Sequence, residues 1–79
     1  MTYLQTIVTM DISIVIPLLN EADSISELIE WIDKVCRQNK LSYEVIMIDD
    51  GSTDSSWEII NTLQSKYTSL RGIKFRRNY

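Results

Sequence analysis

Seventy-nine residues leave room for one small domain, and 44% hydrophobic and 24% charged residues with two Gly and one Pro make an ordinary globular composition, neither disordered nor fibrous. A formal net charge of −3 argues against a general nucleic-acid-binding role. With no histidine, Ser-His and Cys-His nucleophiles and His-ligated metals are excluded, and the single Cys36 has no partner for an internal disulfide.

In chain order, the opening MTYLQTIVTMDI lacks the basic start of a signal peptide and carries polar residues throughout. No run approaches the ~20 apolar residues of a membrane span. A reducing, cytoplasmic setting is therefore expected. Ile12 to Ile16 (ISIVI), closed by Pro17, predicts a buried parallel strand. A loop, PLLNEADS, follows. Ser24 and Glu27 fit a capping box, and Ile25, Leu28, Ile29, Ile32, Val35 and Cys36 recur at helical spacing, so a helix should run to about Asn39 with Cys36 in its core face.

Glu44 to Ile48 predicts a second buried strand. It runs into two adjacent acids, Asp49 and Asp50, and then Gly-Ser-Thr-Asp. Ser55 and Glu58 fit a second capping box, opening a helix in which Trp57, Ile60, Leu63 and Tyr67 share a face. Ile73 and Phe75 alternate with charged neighbours, which reads as a third strand with one wetter face. Arg71, Lys74, Arg76 and Arg77 make the C-terminal end basic, fit either for a phosphate or for a solvated edge strand.

The order β-α-β-α-β is the opening half of a doubly wound, Rossmann-like α/β fold with a mostly parallel sheet. Right-handed crossovers that add strands in one direction place both helices on one sheet face and leave the other bare. So small a chain should therefore need the remainder of a domain or a second copy of itself.

Ligands of open α/β sheets bind at the carboxyl ends of the strands. PLLNE and DDGST meet there and present Asn20, Glu21, Asp49 and Asp50. Such acceptors suit a nucleobase N–H or ribose hydroxyls, and the helix start after Ser52 to Ser55 suits phosphate. Gly51 permits a positive φ and close approach of a ligand. The same Asp-Gly-Ser-Thr-Asp is also what turn and N-cap chemistry prefers. Spacing alone reaches an acidic pocket for a nucleotide or a metal.

SIVIPLLNE, YEVIMIDDGSTDSSWEII and GIKFRRNY resemble, in order and spacing, the N-terminal part of family 2 glycosyltransferases with the GT-A fold. Within that family they look most like the polyprenyl-phosphate, dolichyl-phosphate mannose synthase-like branch. The resemblance implies that residues 1–79 are the nucleotide-sugar-binding part of a longer, three-layer glycosyltransferase domain. Pro17, Leu19 and Glu21 would line the donor's nucleoside pocket, Ile48 would border the base, Asp50 would accept from a base ring N–H, and Asp49 would support the loop. Leu19 stands where relatives often carry an aromatic.

The implied donor is a UDP- or GDP-linked sugar, the acceptor a polyprenyl phosphate, and the reaction an inverting transfer. The family's Mg or Mn ion sits on an Asp-x-Asp segment that this sequence lacks, as it lacks the catalytic base, so these residues alone should not turn over. Two other readings stand beside this one. A receiver-like signalling domain also ends a strand in paired acids, and a non-enzymatic assembly module would use the bare sheet face.

Overall fold

The computed structural model describes residues 10–75. The basic Arg76 and Arg77, and the N-terminal residues 1–9, lie outside the described residues. Five elements follow one another: β1 (Ile12–Leu18), α1 (Ala22–Gln38), β2 (Tyr43–Asp49), α2 (Ser56–Lys66) and β3 (Leu70–Lys74). The strands form one parallel sheet in the order β1-β2-β3. This is the expected incomplete, Rossmann-like α/β half.

All three strands run beyond their predicted limits. β1 does not stop before Pro17 but continues through it, with Pro17 in register with Ile48. Proline lacks an N–H, yet among the described residues β1 is an edge strand with β2 as its one neighbour, where a missing donor is tolerated. β2 takes in Asp49, so the first of the paired acids is a strand residue and not a loop residue. β3 begins at Leu70 and ends before Phe75.

The core lies on one face. β2 alternates strictly, with Tyr43, Val45, Met47 and Asp49 buried and the residues between them half-buried. Against that face pack Ile25, Ile29, Ile32 and Cys36 from α1, Ile60 and Leu63 from α2, and Leu18 and Leu70 from the outer strands. Cys36 is thus a core residue at 4% exposure.

The opposite face carries Val15, Pro17, Ile46, Ile48 and Ile73, and no described helix covers it. Val15 is 57% exposed and Ile73 37%. Ile73 therefore points away from the helices, since it pairs with Ile48 while Leu70 pairs with Val45. The apolar phase of β3 belongs to the bare face, and its helix-side anchors are Leu70 and Gly72.

The helix ends show tertiary bonds overriding local signals. Neither predicted capping box forms: α1 starts two residues before Ser24, with Glu21 at the N-cap, and no cap side chain closes either helix start. At the other end of α1, Leu41 N–H donates to Cys36 O at 2.8 Å and Lys40 N–H to Arg37 O at 3.1 Å. This is a Schellman closure with Lys40 at φ 54°. A further tie joins α1 to the start of β2. The Tyr43 hydroxyl donates to Asp33 Oδ1 at 2.6 Å, and Arg37 donates to Asp33 Oδ2 at 2.9 Å. Burial, then the bond to Asp33, push the Tyr43 hydroxyl up to about 12.

Gly72 is required by close packing. A Cβ there would stand 2.5 Å from Ile60 Cγ2 and 3.2 Å from Trp57 Cζ3. Gly72 N–H also donates to Gln64 Oε1 at 3.0 Å, which draws α2 down onto β3. Gly72→Ala should therefore cost about 1–3 kcal/mol through overpacking. Denaturant unfolding measures it, and an unchanged midpoint would refute the close approach.

Candidate functional site

Strand alternation explains why two acids stand side by side. Asp49 is in phase with Val45 and Met47 and is fully buried among the helices. Asp50 follows the last residue of β2 and is half-buried. Strand alternation carried one residue further would turn its carboxylate away from that of Asp49 and relieve the repulsion that adjacency suggests. Asp49 Oδ1 accepts the Ser52 N–H at 2.8 Å and so closes the turn that carries Asp50. Its Oδ2 is buried without a hydrogen-bond partner. Gly51 sits in that turn at φ 88°, a conformation that side chains disfavour. Asp49 is a structural support of the turn.

The five residues expected to bind all fall at the carboxyl ends of β1 and β2. Pro17 and Ile48 are register partners, and the ladder continues one residue further through the Asp50 N–H donating to Leu18 O at 3.0 Å. Leu19 and Asp50 follow two residues beyond Pro17 and Ile48, in the same phase. Leu19 is 47% exposed. Glu21 stands at the start of α1, where its carboxylate accepts from Ser24 Oγ at 3.1 Å. A cleft of ≈ 220 Å³ between β1 and α1 brings Glu21 together with Pro17, Leu18 and Ser24. The third strand reaches the same end, because Phe75 N–H donates to Asp49 O at 2.9 Å.

Residues whose role the sequence did not reveal tie the two loops together. Asn20 N–H donates to Ser52 Oγ at 2.9 Å, and Glu21 N–H donates to the buried Ser56 Oγ at 3.0 Å. Ala22 N–H, a first-turn amide of α1, reaches Asp54 Oδ2 at 3.3 Å. In return Asn20 Oδ1 accepts from Thr53 N–H at 2.9 Å and Asp54 N–H at 3.3 Å. Asp54 Oδ1 also takes the Ser56 N–H at 2.9 Å. The start of α1 is thus capped by the opposite loop, the start of α2 by its own Asp54, and the turn before α2 by Asn20 of the opposite loop.

The same bonds revise the expected phosphate site. The amides of Thr53, Asp54 and Ser56 already have acceptors, and one of those acceptors is the anionic Asp54 itself. A phosphate at the start of α2 would have to displace a carboxylate. Nor do the residues present fit a divalent ion: among the described residues no group of three or more His, Cys, Asp or Glu side chains gathers to hold one. Among the described residues, too, no helix is long and apolar enough to cross a membrane.

The hydrogen bonds that Asp54 accepts, from Ser56 first and also from the Ala22 amide, hold its carboxyl below the usual range against a smaller opposing effect of burial. A carboxyl whose folded value lies below its unfolded value stabilises the fold above the ordinary carboxylate range, and that stabilisation is lost as pH falls through the folded value. Stability should therefore drop on acidification from about pH 4. Asp54→Asn should blunt that drop, with Asp33, likewise held low by Tyr43 first, supplying part of the remainder. Urea midpoints against pH measure this, and superimposable acid limbs for the two proteins would refute the cross-loop cap.

Comparison with known proteins follows the geometry. Residues 13–79 match the model of glycosyl transferase family 2. Among curated proteins, the chain is 38% identical over 69 residues to an undecaprenyl-phosphate 4-deoxy-4-formamido-L-arabinose transferase of Pseudomonas fluorescens. It is 41% identical over 69 residues to the protein of the same name from Aeromonas hydrophila. Each alignment covers 86% of this chain but only 20% and 21% of the relative. The chain spans about a fifth of the length of the curated relatives it matches.

Proposed function

This chain belongs to glycosyl transferase family 2, and from that premise we propose that its strand-end site is the nucleoside-binding part of a sugar-donor pocket. The donor is a nucleotide diphosphate sugar, UDP- or GDP-linked. The acceptor is a polyprenyl phosphate, a reading supported by the names of the undecaprenyl-phosphate transferases it resembles. The reaction of the whole enzyme is transfer with inversion at the anomeric carbon. Residues 1–79 contribute donor recognition to it and do not turn over on their own. That work takes place beside a cytoplasmic membrane face, with the rest of a longer transferase domain or another copy covering the bare sheet face.

One observation carries the reading. Pro17 and Ile48 in register, with Leu19 and Asp50 one pleat beyond, form a surface at the carboxyl end of the sheet that is apolar on one side and acidic on the other. A flat nucleobase has that same pairing of properties: apolar faces and an edge bearing ring N–H. Ile48, Pro17 and Leu19 meet the face, and the Asp50 carboxylate accepts from the edge. Glu21 shares with Pro17 the cleft along α1 and would close the sugar side of the pocket. Asp49 takes no part in contact; it fixes the turn.

The test is a calorimetric or NMR titration of the 79-residue chain with UDP and with GDP, each with and without manganese. Metal-independent binding of one nucleotide is expected. Asp50→Ala should weaken it by about tenfold or more, since a hydrogen bond to a charged acceptor is worth about 1.5–3 kcal/mol. Equal affinity for the variant and the parent would refute the assignment of Asp50.

A further inference from the structure

The bonds between the two strand-end loops converge on one side chain. Asn20 Oδ1 accepts from the Thr53 N–H, the Asp54 N–H and, at 3.4 Å, the Thr53 hydroxyl. The Asn20 N–H donates back to Ser52 Oγ. These bonds cross 32 to 34 residues of sequence. We propose that Asn20 is the positioning residue of the nucleotide site: it holds the β1–α1 loop, with Leu19 and Glu21, and the β2–α2 loop, with Asp50, as one body. The inference rests on the donor-pocket reading and adds to it which residue sets the distance between the pocket's two sides.

Three requirements meet at position 20, and asparagine satisfies all of them. The backbone stands at φ 53°, in the left-handed region, which Asn enters more readily than other side chains except Gly's lone hydrogen. The side chain must be short and end in an acceptor, so that a local carbonyl group reaches amides of the facing loop. It must also be neutral, because the two loops already hold Glu21, Asp49, Asp50 and Asp54. Gly meets the first and third requirements but offers no acceptor, and Ala meets only the third. Asp meets the first two at the cost of a fifth carboxylate.

Flexible loops would make the pocket order itself on binding, with a loss of affinity for each group immobilised. A peg that is complete without ligand removes that loss. Asn20 touches no nucleotide in this account; it acts through Leu19 and Asp50, its neighbours in sequence and across the clasp.

The experiment compares the parent chain with Asn20→Gly and Asn20→Asp, with Ser52→Ala as a milder second cut should the Gly variant unfold. Amide exchange without ligand comes first. Asn20→Gly should speed exchange at Thr53 and Asp54 by about tenfold or more and shift the Ile48 to Gly51 amides, while Val45 and Met47 in the core keep their protection. Asn20→Asp should retain the protection at Thr53 and Asp54. Titration with UDP and GDP follows, and Asn20→Gly should bind about tenfold more weakly than the parent, with Ser52→Ala in between. Loop amides and affinity unchanged in Asn20→Gly would overturn the positioning role. No binding by the parent chain would instead overturn the donor-pocket reading, whatever the loop amides do. Loss of protection at Val45 and Met47 in both Asn20→Gly and Ser52→Ala would make these residues general supports of the fold and overturn the inference as well.

Discussion

Two helices that start side by side from neighbouring parallel strands expose their first amides to each other, and here they share their caps. The Ala22 amide uses Asp54, the Glu21 amide uses Ser56, and the Thr53 and Asp54 amides use Asn20. The Glu21–Ser56 bond is part-buried and the others are exposed to competition from water, yet together they brace each loop against the other. The site inherits its shape from that mutual dependence. Loops of this kind are ordinarily mobile, whereas these are cross-braced at the end of the sheet where a ligand would arrive.

The paired acids take opposite parts in the same construction. Pleat alternation sends Asp49 inward, where one oxygen closes the turn and the other is left buried without a partner. Asp50, one residue past the end of the strand, is half-buried. An aspartate at 49 is expensive for the fold, because a desolvated oxygen lacks a bond. Its return is a turn that carries Asp50, passes Gly51 in the left-handed region and leads directly to the braced segment Ser52 to Ser56. In the proposed site, ligand recognition and fold stability would thus draw on adjacent residues without sharing a side chain.

Much of this was legible in the sequence, and the misses have physical reasons. β-branched runs and helical spacing gave the five elements in order, because burial on a sheet or helix face leaves a periodic trace. The bare face followed from topology. Strand ends were misplaced because Pro17 reads as a stop, although an edge strand tolerates it. The start of α1 was misplaced because Ser24-Glu27 matches a local motif, while the acceptors in use come from 32 to 35 residues away; α2 does start after Ser55 as expected, but without the side-chain bond of a capping box. Ile73 and Phe75 had the right period, but periodicity cannot say which face of a sheet will be left uncovered. Pro17, Leu19 and Ile48 were named as site candidates from the family resemblance, and Glu21 and Asp50 from their place at the strand ends as well; Asn20 as a brace, and Ser56 at all, needed the three-dimensional contacts.

The central claim is that a nucleobase lies against the uncovered strand ends, between Pro17 and Leu19 on one side and Ile48 and Asp50 on the other. Intermolecular nuclear Overhauser effects test it most directly, recorded between the base protons of bound UDP or GDP and the methyl groups of the chain. The account predicts cross-peaks from the base to Ile48 and Leu19. Cross-peaks confined to Ile59 and Leu63, in the groove between the helices, would contradict it.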